Sequence, residues 1–157
     1  MMWASVDPGA NGCIVTWQED VPIHVFRLAD LLGAKANMCR LILPQQLQIE
    51  YAVVEKVRGM RGDGAAQAFN FGWNCGIIHQ YFPLCHYVGP VEWMGVMHKG
   101  LPKSMKTKLR SYKICGMLYK EFLDINNAHC AADDGVWDAL LLGRYWLWKQ
   151  KKKGLAT

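Results

Sequence analysis

The stretch Trp3–Trp17, WASVDPGANGCIVTW, reads as a strand, a tight turn and a second strand. Trp3-Ala-Ser-Val6 is a short apolar run, and Asp7 stands where it ends. Pro8 and Gly9 stop the strand, and Ala10-Asn11-Gly12 suits a turn in which Gly12 takes positive φ. Cys13-Ile-Val-Thr-Trp17 is rich in β-branched residues and fits the returning strand of a hairpin. A carboxylate at the end of a buried strand is costly unless a cation meets it there. Asp7 is therefore the first candidate for a metal-site carboxylate, with a plain turn-starting role as the alternative.

A chain of 157 residues is expected to form one domain with a real core. A hydrophobic share of 52% with 20% charged residues is that of a folded globular protein. Gly, Asn, His or charge interrupts every long apolar span, so no transmembrane helix is expected, and no secretory signal is apparent at the N-terminus. The six cysteines (13, 39, 75, 85, 115 and 130) form no C-x-x-C pair, which favours free thiols over disulfides or structural zinc. Charge is unevenly placed. Through Val96 there are 6 basic and 8 acidic residues, and from Met97 onward 12 and 5, so the second part is +7 and the first −2. Such asymmetry suggests a polyanionic partner approaching one side.

Outward from the hairpin, Val21–Arg27 is expected as a third strand and Leu28–Leu43 as a helix ended by Pro44. Ile49–Val57, IEYAVVEKV, is the next clear strand, and its Tyr51-Ala-Val-Val54 suits a central position with both faces covered. Glu55 ends it much as Asp7 ends the first strand, so neighbouring strands would make neighbours of the two carboxylates. The loop Arg58–Gly64, RGMRGDG, is either a connector or a contact for a phosphate backbone, and Asp63 is placed to cap the helix Gly64–Phe82. Ala68, Gly72 and Gly76 form a smooth stripe on that helix. Interior helical glycines cost about 1 kcal/mol each relative to Ala, so a closely packed partner is expected, either the protein's own sheet or a second subunit.

Leu84–Val88 is expected as a short strand and Val91–His98 as a short helix. The helix Lys103–Phe122 carries Met105, Leu109, Tyr112, Gly116 and Tyr119 at the spacing of a buried face. Lys103, Lys106, Arg110 and Lys113 form a basic stripe with no interleaved acid, read either as a solvated face or as a phosphate contact. In the last helix, Asp133–Trp148, Asp134 and Asp138 share one face near the N-terminus, with Leu141, Leu142 and Tyr145 as packing residues. Residues 1–150 are taken as one domain and 151–157 as a basic tail, frayed from Lys149 onward.

Asp7, Glu55, Asp134 and Asp138 would repel one another unless divalent cations held them. Mg²⁺ takes oxygen ligands and keeps waters, which a carboxylate cluster with open positions suits. Two such ions about 3.5–4 Å apart activate water and stabilise the leaving oxygen in phosphodiester hydrolysis.

Three motifs, V-D-P-G-x-x-G at Val6–Gly12, A-V-V-E-K-V at Ala52–Val57 and D-G-V-W-D-A-L-L-L at Asp134–Leu142, resemble those of RuvC-type Holliday-junction resolvases. F-x-F-G-x-x-x-G at Phe69–Gly76 and V-G-P-x-x-W at Val88–Trp93 extend the match along nearly the whole chain, most closely to the short phage-type members. The resemblance implies an α/β fold, an RNase H-like mixed β-sheet flanked by α-helices. It implies a homodimer that binds four-way DNA and nicks two strands symmetrically, leaving 5′-phosphates. It makes Asp7, Glu55 and Asp138 metal ligands for Mg²⁺, with Mn²⁺ as the alternative ion and two ions per site. Asp134 is the fourth acid, though the bacterial enzymes space their last two acids by three rather than four, so Asp133 competes for that role. Lys103 and Lys106 are the candidates for holding the scissile phosphate. Arg58, Arg61, Lys99, Lys103, Lys106, Arg110 and Lys113 form the expected DNA-binding set.

The reading is thus a Mg²⁺-dependent endonuclease resolving branched DNA, expected in the cytoplasm of a bacterial or phage-infected cell, or in an organelle if the source is eukaryotic. Rival readings are a nuclease of the same fold acting on flaps, forks or RNA–DNA hybrids, a DNA-junction binding module without catalysis, and a protein-interaction scaffold. A carboxylate cluster gains a pure polyanion binder nothing, which favours an enzyme.

Overall fold

The structure, a computed structural model, describes residues 1–9, 11–31, 48–56, 64–82 and 84–154. The opening stretch forms the expected hairpin: β1 (Met2–Asp7) and β2 (Cys13–Gln18) pair antiparallel from Met2–Gln18 to Asp7–Cys13. β3 (Val21–Arg27) adds antiparallel to β2 with a register shift at Thr16/Trp17, close to Pro22, which has no N–H to give to a regular ladder. β4 (Ala52–Glu55) lies parallel to β1, and β5 (Cys85–Val88) parallel to β4. The result is a mixed five-stranded sheet in the order β3-β2-β1-β4-β5, with β4 inside it as its two-sided apolar pattern requires.

The helices are α1 (Leu28–Leu31), α2 (Ala65–Tyr81), α3 (Pro90–Met97), α4 (Thr107–Leu118), α5 (Lys120–Ile125) and α6 (Asp134–Lys152), the last preceded by a single 3₁₀ turn at Ala131–Asp133. The remainder of the helix expected at Leu28–Leu43, the loop arginines Arg58 and Arg61, and the capping residue Asp63 lie outside the described residues. Among the described residues no helix is long and apolar enough to cross a membrane.

Alternation along the strands divides the core. Trp3, Val15, Trp17 and Val53 point to one face and pack under α3, α4 and α6, with Leu140, Leu141 and Leu142 at the centre. Ala4, Val6, Ile14, Ala52 and Val54 point to the other and meet Ile77, Ile78 and Phe82 at the C-terminal end of α2. Asp7 shares the parity of Trp3 and Ser5, and Glu55 that of Val53. Both therefore belong to the α6 face.

Three sequence expectations change. Gly12 is needed for space rather than for a positive φ: the described glycines with positive φ are Gly100 and Gly154. A methyl group on Gly12 would strike the Asp7 and Gly9 carbonyls and Leu28. The basic helix begins at Thr107 and breaks at Tyr119, and its buried face is Ser111, Ile114 and Cys115, with Leu109 and Gly116 exposed. Small side chains are needed there because α4 lies close against α6, where Cys115 Sγ reaches the Trp137 carbonyl at 3.4 Å. Finally, α6 stays helical through Lys152, past its expected end at Trp148, with Lys149 bonded to Glu92 and Lys152 over the Trp148 ring.

Candidate functional site

β1 and β4 end side by side. Their register runs through Val6–Val54, and the next residues along the two parallel strands are Asp7 and Glu55. α6 crosses the same face, and its approach is close because Gly135 has no side chain: a Cβ there would run into the Asn11 carbonyl. Cys13 Sγ reaches the Gly135 carbonyl at 3.1 Å, and the Asn11 amide donates to Asp134 Oδ1 at 3.1 Å. Gly143, one face further along α6, gives the Trp17 ring its place. The glycines of V-D-P-G-x-x-G and D-G-V-W-D thus let the hairpin turn and the first turn of α6 meet, which carries Asp138 to the strand ends.

Asp7 and Asp138 are buried, Glu55 half-buried. Burial raises the pKa of Asp7 from its ordinary value to about 7, and the charges of Glu55 and Asp138 push the same way, against the Gly9 N–H and Lys108. That N–H donates to Asp7 Oδ1 at 2.8 Å. Glu55 is also raised, first by burial and then by Asp138, although the Trp93 indole N–H donates to its Oε1 at 2.8 Å and opposes the shift. Mutual repulsion of this kind means that Asp7, Glu55 and Asp138 face one another within electrostatic reach.

The cation that answers them is one the sequence reading passed over. Lys108 Nζ lies 2.5 Å from Asp138 Oδ2 and 3.1 Å from Asp134 Oδ2. Burial works against its charge, but Asp138 and Asp134 outweigh burial and raise its pKa. The stripe drawn through Lys106, Arg110 and Lys113 leaves Lys108 out, yet Lys108 and Ser111 are three apart on α4 and share the side turned to α6. The small residues Ser111 and Cys115 were the available signal for that side. Lys99, Lys103 and Lys106 are exposed in the segment leading into α4, and Lys113 is exposed on it. Arg110 is half-buried and donates to Thr107 Oγ1 at 3.2 Å. Arg58 and Arg61 lie outside the described residues.

Asp133 and Asp134 occupy different surroundings. Asp133 is buried against Arg27 Nη2 at 2.7 Å and accepts from the Cys130 backbone N–H at 3.0 Å. Burial opposes its charge, but Cys130 and Arg27 hold its pKa below the ordinary value. It ties the start of α6 to the end of β3. Asp134, half-buried, faces the lysine that Asp138 shares.

An all-oxygen set, buried and mutually repulsive, fits a hard divalent cation in charge and donor type. Among the described residues no three acids, histidines or cysteines enclose a single ion as they stand. The position beside Asp138 Oδ2 is taken by the half-exposed Lys108 side chain.

No protein-family model matches the chain, and no curated protein matches its sequence. Solved structures do match in fold. Thermus thermophilus RuvC in complex with Holliday junction substrate superposes with a TM-score of 0.53 at 13% identity, over 100% of this chain and 98% of that one. A second Thermus thermophilus RuvC structure gives 0.51 at 14% identity, over 100% and 99%. The chain therefore has the RuvC-like, RNase H-like fold: a mixed five-stranded sheet with flanking helices.

Proposed function

We propose that the protein is a divalent-metal-dependent endonuclease that resolves branched DNA. The observation that carries this reading is the meeting of Asp7, Glu55 and Asp138 at the strand ends of a RuvC-like fold, with Lys108 as their cation. Asp7 and Asp138 would hold the metal most directly, Glu55 would bridge or position a second ion, and Asp134 would serve as the fourth acid. Mg²⁺, or Mn²⁺ in its place, would supply an activated water and charge stabilisation for an in-line attack at phosphorus. The chain's own part is to hold the carboxylates in place. The Gly9 N–H fixes Asp7, and Trp93 fixes Glu55. Lys108, released from Asp138, is placed to meet the incoming phosphate. Arg58, Arg61, Lys99, Lys103, Lys106, Arg110 and Lys113 would add sequence-independent affinity that falls steeply with salt. Affinity to the short phage-type members rests on the motifs alone.

Paired nicks need two active sites, and the exposed face of α2 supports a homodimer. Phe69 and Trp73 stand 66% and 46% exposed beside Gly72 and Gly76, where a Cβ would meet nothing within 4 Å among the described residues. Of the two partners that the sequence left open for this stripe, the protein's own sheet does not cover it. Gly64–Tyr81 contains no Asp, Glu, Lys or Arg, so two copies of a chain of net charge +5 can approach here without opposing like charges. Aromatic knobs beside glycine hollows on one stripe are self-complementary, as a two-fold interface requires.

The test compares a labelled four-way junction with a linear duplex of the same sequence, in Mg²⁺ and in EDTA, for wild type and Asp7→Asn. Symmetric paired nicks on the junction are expected, abolished by EDTA and reduced at least ~10²-fold by the substitution, the scale of losing one electrostatic stabiliser. Tight junction binding without cleavage would instead make the chain a binding module. Equal cutting of flaps or RNA–DNA hybrids would keep the chemistry and move the substrate.

A further inference from the structure

Behind Asp138, where α3 and α4 meet, a buried hydroxyl and a buried imidazole stand in line. Ser111, fully buried, donates its hydroxyl to Asp138 Oδ1 at 2.8 Å. His98, which closes α3, brings Nε2 to 3.1 Å from the same hydroxyl oxygen. The other oxygen of Asp138, Oδ2, is the one that Lys108 meets.

The direction of each bond follows from the donors available. With Lys108 on Oδ2, Asp138 accepts on both oxygens, and the Ser111 hydroxyl is the donor to Oδ1. A hydroxyl has one proton. Having given it to Asp138, Ser111 accepts from His98, and Nε2 carries the hydrogen. His98 Nδ1 is buried without a hydrogen-bond partner among the described residues, so a second proton there would be an unsatisfied buried N–H. The ring is therefore the neutral Nε2–H tautomer. Burial and then Arg110 also hold its pKa below the ordinary value, against the pull of Asp138. The imidazole is set edge-on to Trp93, centroids 5.6 Å apart, and Trp93 is the residue that holds Glu55. One helix thus supports two of the acids, Glu55 through Trp93 and Asp138 through His98.

We propose that His98 and Ser111 form a positioning relay for Asp138: the imidazole N–H orients the hydroxyl, the hydroxyl pins Oδ1, and Oδ2 is left for a cation. The relay rests on the nuclease reading, which supplies that cation. Outer hydrogen bonds that orient a ligating carboxylate typically change metal affinity by about 10–100-fold when removed.

Three measurements on the full chain test it. Ring ¹⁵N NMR of His98 is expected to show a protonated Nε2 and a bare Nδ1, and a protonated Nδ1 would overturn the relay. Mn²⁺ binding, followed by the EPR signal of the free ion, is expected to weaken about tenfold in Ser111→Ala and in His98→Leu. His98→Gln, whose amide retains a donor, is expected to bind like wild type, with thermal melting reporting that each variant is folded. A folded Ser111→Ala that binds Mn²⁺ as wild type does, or a His98→Gln no better than His98→Leu, would overturn the proposal. Junction cleavage separates the two readings. Ser111-dependent Mn²⁺ binding in a wild type that cuts no DNA sinks the nuclease reading and leaves the relay. Cleavage and binding both indifferent to Ser111 sink the relay alone.

Discussion

On the α6 side of the sheet, Ser5 and Asp7 are buried among tryptophans and leucines, and Asp138 and Ser111 are buried against them from the helices. On the α2 side, Ala4, Val6, Ile14, Val54, Ile77 and Ile78 form an apolar cluster, and the buried Thr16 hydroxyl opposite Ala4 has no hydrogen-bond partner among the described residues. The same strands supply both faces, one residue out of phase. Every polar group named on the first has a partner: Ser5 accepts from the Trp17 indole at 2.8 Å and donates to the Ala139 carbonyl at 2.7 Å. Buried polar groups are stable only when satisfied, and the close approach of α6, permitted by Gly135 and Gly143, is what satisfies them. The α2 face is packed mainly by apolar side chains, and no described residue covers the outer side of its helix at Gly72 and Gly76. The proposed chemistry thus falls where two backbones come close, and the proposed association on the outer side of α2.

The largest expected effect sharpens that contrast. Asp7 has its folded pKa raised from 3.8 to about 7. Between those pH values the folded state binds more protons than the unfolded one, so stability is fully present below about pH 4 and falls as pH rises towards 7. The fall is on the order of 4 kcal/mol. Asp7→Asn should remove it, so chemical denaturation of the metal-free protein at pH 8 should find the variant more stable than wild type. Added Mg²⁺ should raise the melting temperature of wild type more than that of Asp7→Asn. On the other face, Ile78→Ala opens a cavity in an apolar cluster and should cost about 3 kcal/mol by urea titration, with no such dependence on pH.

Two glycine substitutions break the comparison from opposite directions. Gly135→Ala drives a methyl group into the Asn11 carbonyl. It should destabilise by about 2 kcal/mol as an overpacked contact and displace Asp138 as well, lowering cleavage further than the stability loss explains. Gly72→Ala meets nothing within 4 Å among the described residues. It should stabilise α2 by about 1 kcal/mol through helix propensity while weakening self-association in analytical ultracentrifugation. Unchanged association would move the dimer seam away from this stripe.

Much of the frame was legible because its signals are local. Strand period, Pro-Gly punctuation and β-branched runs marked β1, β2 and β4 with the acids at their ends, and an i, i+4 spacing put Asp134 and Asp138 on one helical side. Lys108 was passed over because periodicity within α4 cannot report how the helix is turned about its axis. The apolar stripe through Met105, Leu109 and Gly116 competed with the small-residue side at Ser111 and Cys115. Close packing against α6 favoured the latter. Asp133 and Asp134 are adjacent in sequence, and only the position of Arg27 at the end of β3 separates a structural salt bridge from a place beside Lys108.

By itself, the sequence determined the five strands and the acids that close β1 and β4, since those depend on steric and hydrogen-bonding preferences within a few residues. The single helix expected over Lys103–Phe122 instead divides into α4 and α5. Tertiary structure alone decided which cation faces the acids, which aspartate lies beside that cation, how Ser111 and His98 line up behind Asp138, and that no described residue covers the α2 stripe. Each of these depends on the rotation and approach of elements far apart in the chain, where packing energies summed over whole faces outweigh any local pattern.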